Sequence, residues 1–282
     1  MRAEHVRKPE WLKIRLRRND RFLQTKCIVE SHGLHTICAD GRCPNQGECW
    51  GKGTATFLIG GAICTRSCRF CNTPTGKPKP LDASEPERVA ESIRLMGLRH
   101  AVVTSVDRDD LPDAGAGHWV QTIRCIRMQN PQTTLEVLIP DFRGQPDQVD
   151  RIIETAPDII SHNLETVKRL TPQIRSAARY ETSLSVLSHI ASQGIRTKTG
   201  IMVGLGERED EVEALMDDAL RADVSILTVG QYLQPARTNI PVAEYVSLQQ
   251  FEAYRRTALS KGFQQVESAP LVRSSYHAGN TA

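Results

Sequence analysis

Beyond residue 53 the chain alternates between short β-branched runs and stretches in which apolar residues recur at helical spacing. That alternation predicts strands joined by crossover helices in a parallel sheet. Six such units are present, with strands expected over 54–62, 100–107, 134–141, 158–165, 195–207 and 226–233, each ending in polar or glycine-rich sequence. Helical patterns such as 85–96, 209–221 and 248–261 lie between them, the last followed by a Gly262 stop signal. Six units are too few to close an eight-stranded barrel. The expected fold class is α/β, a partial (β/α)6 TIM-type barrel, with a doubly wound sheet as the alternative. The first fifty residues and the last fifteen break the alternation, so the organisation expected is an N-terminal extension (1–53), the barrel (54–267) and a C-terminal tail (268–282).

Composition narrows the setting. With 282 residues, 39% hydrophobic and 24% charged, the chain can bury a full core, and intrinsic disorder is excluded. No window approaches the roughly 18 to 20 apolar residues of a membrane helix, and the start lacks a secretory apolar run. A cytoplasmic protein is expected. The net charge of +3 conceals an asymmetry: residues 1–26 carry nine Lys or Arg against Glu4, Glu10 and Asp20, whereas the other 256 residues hold 27 bases and 30 acids. Such an arm fits nucleic acid, an anionic membrane or an acidic protein, or is the solvated face of an amphipathic segment.

Of the eight cysteines, Cys38, Cys43, Cys49, Cys64, Cys68 and Cys71 fall within 34 residues, while Cys27 and Cys125 stand apart as ordinary semi-buried thiols. In a chain of this size, with no sign of export, clustering argues for metal ligation rather than disulfides. Cys64, Cys68 and Cys71 give C-x3-C-x2-C just after the first strand, where a barrel exposes its working face. Zinc sites usually close with four ligands drawn from C-x2-C pairs. Three thiolates on a four-iron cluster leave one iron open to a small molecule. Cys38, Cys43 and Cys49 give a wider C-x4-C-x5-C.

The C-x3-C-x2-C spacing, with Phe70 before its third cysteine, is similar to that of the radical S-adenosylmethionine superfamily. Within it, C-P-N-Q-G-E-C-W, the preceding G-L-H-T and C-T-R-S-C-R-F-C resemble the lipoyl synthase family. So do K-P-E-W-L-K at Lys8 to Lys13, T-S-V-D-R-D-D-L at Thr104 to Leu111, G-I-M-V-G-L-G-E at Gly200 to Glu207, G-Q-Y-L-Q-P at Gly230 to Pro235 and V-R-S-S-Y-H-A at Val272 to Ala278. Asn72, Pro74, Thr182, Asn239 and Ala269 depart from the usual residues.

The resemblance implies two 4Fe-4S clusters: a radical-generating one on Cys64, Cys68 and Cys71, and an auxiliary sulfur donor on Cys38, Cys43, Cys49 and the Ser275 oxygen. The tail would then close the auxiliary cluster, unless Arg273 to Tyr276 only anchors it. The implied reaction inserts sulfur at carbons 6 and 8 of an octanoyl-lysine on a carrier domain, consuming two S-adenosylmethionine. Those C–H bonds are unactivated, so the hard step falls to a cofactor. Implied partners are octanoylated lipoyl carrier domains (the glycine cleavage H protein and 2-oxoacid dehydrogenase acyltransferase subunits), a ferredoxin or flavodoxin, and an iron-sulfur carrier. Neither nucleic acid nor membrane is implied. A biotin-synthase-like sulfur inserter and a non-catalytic iron-sulfur carrier are the alternatives.

Thr104, Ser105 and Asp107, at the end of the second strand, fall where the superfamily holds the methionine amino group, although they could equally cap the next loop. Asn163 and Glu165, at the end of the fourth strand, alternate onto one face or form a helix cap or surface pair, and Gly204, between Gly200 and Gly206, resembles the stretch passing close to adenine, or marks a bulge. Arg175 and Tyr180 match the family pattern and are candidates to position the substrate chain or a product carboxylate.

Overall fold

The computed structural model describes residues 8–12 and 19–275. Arg15, Arg17 and Arg18 of the basic arm, and Tyr276 to Ala278 of the terminal motif, lie outside the described residues. Among the described residues no helix is long and apolar enough to cross a membrane.

Helix α1 (Asp20–Ser31) opens the chain, its N-cap Asn19 accepting from Phe22 N. A two-residue strand, β1 (His35–Thr36), pairs antiparallel with β2 (Thr56–Ile59), and between them lie α2 (Ile37–Asp40) and α3 (Gln46–Gly51). From β2 onward the sheet is parallel and its strand order is the chain order: β3 (His100–Ser105), β4 (Thr134–Leu138), β5 (Ile159–Ser161), β6 (Arg196–Val203), β7 (Ile226–Gln231) and β8 (Gln265–Ser268). The crossovers are α4 (Glu85–Met96), α5 (Ala116–Gln129), α6 (Pro146–Ile153), the short α7 (Thr171–Ile174) with α8 (Tyr180–Ser192), α9 (Glu209–Arg221) and α10 (Leu248–Lys261). Six β/α units followed by one further strand make the partial (β/α)6 barrel. The eighth strand, Q-V-E-S, straddles residue 267, where the barrel was expected to end.

Local sequence explains the elements. Helix α4 has Pro86 in its first turn and stops at Gly97, whose left-handed φ of 61° a side chain would strain. Its apolar stripe of Val89, Ala90, Ile93 and Met96 is buried. Helix α10 is capped by Ser247, which accepts from Gln250 N, and ends at Gly262 as its stop signal predicts. The strand outer faces and these helices form two apolar cores. One is built on Phe57, Val103, Val137 and Ile160, the other on Val203, Met216, Val229 and Phe251.

The inner face is mixed: Leu58, Val102 and Leu138 line the cavity as apolar residues, and a polar network lies beside them. Lys198 and Glu136, both fully buried, pair at 2.9 Å, and Ser161 donates to the same carboxylate at 2.8 Å. This network plugs the barrel between β4, β5 and β6, and a lone buried charge there would be costly. The expected strands overran the observed ones at their C-terminal ends. Residues 106–107, 139–141, 162–165 and 204–207 leave the sheet and curl into the loops that build the site.

Candidate active site

A cavity of about 1280 Å³ lies inside the barrel, and all six clustered cysteines line it. Phe70, Thr104, Ser105, Asp107, Asn163, Glu165 and Ser275 line it as well. Gly204, Arg175 and Tyr180 do not. A Cβ on Gly204 would strike the Gln231 side chain at 2.1 Å and the Glu244 carbonyl at 2.5 Å, so this glycine is needed for packing beneath the loop. Arg175 is buried and donates to Ser183 Oγ at 2.9 Å and Leu164 O at 3.3 Å. Tyr180 donates to Asp218 at 3.0 Å between α8 and α9. Both therefore brace the scaffold outside the cavity.

The first triad follows the turn at Gly60 and Gly61, where φ values of 84° and 97° require glycine. Cys64 Sγ receives backbone N–H groups from Asp107 at 3.3 Å and Arg66 at 3.4 Å, and Cys71 Sγ one from Thr73 at 3.4 Å. Burial, then the Asp107 carboxylate, pushes the Cys64 thiol up to about 12. Arg66, within the same loop, is itself buried and meets three carboxylates: Asp109 at 2.7 Å, Asp141 at 2.7 Å and Asp107 at 3.3 Å. It ties the cysteine loop to the loops after β3 and β4. Burial, opposed by Arg66, raises the Asp107 carboxyl to about 6.

The second triad lies on α2 and α3. Burial, then the charges of Cys43 and Cys49, pushes Cys38 up to about 12, and Cys49 rises to about 11 through burial and then Cys43. The thiols are thus close enough to oppose one another's ionisation. Three long-range bonds hold the segment: Asn45 Nδ2 to Leu271 O at 2.6 Å, Asn72 Nδ2 to Asp40 O at 2.7 Å, and Arg42 to Pro235 O at 3.2 Å. Arg273 is half-buried near both Cys43 and Glu165; desolvation lowers its pKa, and those two groups oppose the shift.

Among the described residues no three His, Cys, Asp or Glu side chains converge as a single metal ion would need. Thiolates on a four-iron cluster ligate different irons and stand apart. The donor set fits such a group: six sulfurs facing one cavity, of which Cys38 and Cys64 are buried and disfavoured as anions, with backbone N–H groups aimed at Cys64 and Cys71.

Residues 58–219 match the Radical SAM superfamily. Two solved structures share the fold alone: Streptococcus suis SuiB bound to precursor peptide SuiA (TM-score 0.61, 9% identity, covering 79% of this chain and 50% of that one) and methylornithine synthase (TM-score 0.57, 13% identity, 89% and 84%). Over 276 residues the chain is 70% identical to the lipoyl synthase of Parabacteroides distasonis, with 98% of both chains covered. It is 68% identical to that of Bacteroides thetaiotaomicron at the same coverage. The chain belongs to the lipoyl synthase family. As a lipoyl synthase it is a radical SAM enzyme and a sulfurtransferase.

Four residues of this lipoyl synthase site were not picked out as functional from sequence: Arg66, Asn45, Asn72 and Arg273. Only Arg66 carried a usable signal, since an arginine between two cysteine ligands beside an Asp-rich D-R-D-D segment invites a buried ion pair. The partners of the others are backbone carbonyls or groups far along the chain. Cys27, expected to be semi-buried, is exposed on α1.

Proposed function

We propose that this lipoyl synthase inserts two sulfur atoms at carbons 6 and 8 of an octanoyl chain held on a lysine of a lipoyl carrier domain. The observation that carries the reading is that both cysteine triads, Ser275 and the Thr104 to Asp107 and Asn163 to Glu165 segments line one cavity. When bound, a 4Fe-4S cluster on Cys64, Cys68 and Cys71 supplies the electron that cleaves S-adenosylmethionine to methionine and a hydrogen-abstracting 5′-deoxyadenosyl radical, and an auxiliary cluster on Cys38, Cys43, Cys49 and Ser275 supplies sulfide.

The chain's own residues bind, orient and exclude water. Asp107, half-buried just past the C-terminal end of β3, faces the methionine ammonium, while Asn163 and Glu165 take the nucleoside. Glu165 sits at a left-handed φ of 65°, and its backbone bonds to both Gly200 O and Met202 N aim the side chain inward. Leu58, Val102, Val106 and Leu138 give the cavity an apolar wall suited to an octanoyl chain. Residues 1–53 and 268–282 then act as the auxiliary-cluster extension and its closing tail around the 54–267 barrel. The glycine cleavage H protein and acyltransferase subunits are the proposed carriers, a ferredoxin or flavodoxin the electron source, and an iron-sulfur carrier the means of refilling.

Anaerobic reconstitution with iron and sulfide counting, followed by mass analysis of an octanoylated carrier peptide, tests the reading. Two four-iron clusters and a gain of two sulfurs are expected; a zinc-bound chain, or an unmodified peptide beside 5′-deoxyadenosine, would overturn it. Ser275→Cys should assemble the auxiliary cluster but release sulfur slowly, because thiolate is the softer and stronger iron ligand. Wild-type turnover in that variant, with an intact cluster in Ser275→Ala, would remove the serine from the ligand set.

A further inference from the structure

After β8 the chain turns back across β6 and β7, where two glycines leave room for it. A Cβ on Gly230 would meet Val272 O at 2.1 Å, and one on Gly200 would come within 3.1 Å of Ser274 Oγ and 2.9 Å of Asn163 Oδ1. These positions form a trough in which the tail lies against the wall assigned to the nucleoside. There the Asn163 amide donates through Nδ2 to Ser274 Oγ at 2.7 Å and to Glu165 Oε1 at 3.0 Å. Its Oδ1 is buried and has no hydrogen-bond partner. An orphaned buried carbonyl is costly, so the two Nδ2 bonds are what hold the amide in this pose.

We propose that Ser274 is a positioning residue that, by fixing the Asn163 amide where that residue lines the cavity, makes seating of the tail and binding of S-adenosylmethionine mutually dependent. The inference rests on the reading of this wall as the S-adenosylmethionine site. With the tail seated, Nδ2 is engaged twice and the amide is fixed in the cavity wall. With the tail lifted, one of those bonds is gone and the amide is free to turn, so the ligand must order it on binding. Because linkage is reciprocal, S-adenosylmethionine must hold the tail by the same factor that the tail strengthens its binding. Ser274 is thereby distinguished from its neighbour Ser275: one orients the small-molecule site, the other is the proposed ligand of the auxiliary cluster.

The test is hydrogen exchange of backbone amides 269–275 in the anaerobically reconstituted full chain, with and without S-adenosylmethionine, alongside equilibrium dialysis of the same ligand. In the wild type, saturating ligand should slow tail exchange about five-fold, the worth of one neutral hydrogen bond. Ser274→Ala should bind the ligand about five-fold more weakly and lose the ligand-dependent slowing, and Ser274→Thr, which restores a hydroxyl, should recover both. Asn45→Ala separates this from simple loosening, since it frees the tail at Leu271 without touching Asn163: exchange should be faster throughout, yet still respond to ligand. An unchanged response in Ser274→Ala, or equal loss in Asn45→Ala, overturns the proposal. Failure of the wild type to bind S-adenosylmethionine overturns instead the reading of the cavity beneath it.

Discussion

Cys64, Cys68 and Cys71 sit in a loop cross-braced by buried charge, whereas Cys38, Cys43 and Cys49 sit in a clasp closed by a few hydrogen bonds from distant segments. In the first, Arg66 and three aspartates lock the loop to two barrel strands, and backbone N–H groups are already aimed at sulfur. In the second, short helices are held to the tail by Asn45 and to the first loop by Asn72. The difference fits the tasks proposed for the two triads. A group proposed to deliver electrons repeatedly gains from rigid preorganisation, whereas one proposed to have its sulfur removed and replaced needs a site that can loosen without unfolding the barrel.

The largest test separates the two triads by product. Alanine at Cys64, Cys68 or Cys71 should abolish both 5′-deoxyadenosine and lipoyl product, by more than about a thousand-fold. Alanine at Cys38, Cys43 or Cys49 should abolish only the lipoyl product. Normal lipoylation from any variant of the second set, measured by peptide mass, would erase the distinction.

Next is the brace. Arg66→Met leaves Asp107 and Asp141 without their cation, while Asp109 keeps Arg143, and should cost about 3 kcal/mol, the lower end for breaking a buried pair because Asp107 keeps some solvent. A urea midpoint unchanged from wild type would show that the loop does not depend on the pair.

Acid should act on the barrel wall beside the brace. His162 is fully buried, its ring nitrogens 2.9 Å from Ile139 O and from Ser183 Oγ, and burial followed by Arg175 lowers it to about 4. Its folded pKa lies below the unfolded value, so the unfolded chain takes up the proton first. Its contribution to stability is intact above pH 6.5 and falls as pH drops toward 4, by about 2 kcal/mol at pH 5. His162→Gln should flatten that part of the pH–stability curve, and an unaltered slope would place the acid sensitivity elsewhere.

The smallest effect belongs to the joint between the triads. Asn72→Ala removes one bond to Asp40 and should cost about 1 kcal/mol, with faster exchange confined to α2; loss spread over the barrel would mean the clasp is not separable.

What could be read in the sequence follows the range of the forces involved. Strands β2 to β7 announce themselves because burial by crossover helices demands apolar, β-branched runs. β1 is two residues long, and β8 offers one apolar residue in four, so pairing to a finished neighbour, not local pattern, makes them strands. The cysteines were legible because ligation imposes spacing along the chain. Asn45 acts on a carbonyl 226 residues away, and no local signal could mark it. Arg175 and Tyr180 looked like site residues, but their polar ends are consumed by Ser183, Leu164 and Asp218, partners visible only once the helices pack.

The order of the sheet also has a consequence in time. Because each parallel strand pairs with the one made just before it, the barrel can zip up from β2 as synthesis proceeds, and the radical loop is braced once β4 has emerged. The clasp, by contrast, joins α3 to Leu271 and needs Ser274 in its trough, so it is completed only after β8. A nascent chain stalled before residue 270 would possess the proposed radical-generating site and lack the closing half of the proposed sulfur-donor site. Closing the second site on late-made residues makes its completion a proofreading of the chain's own length.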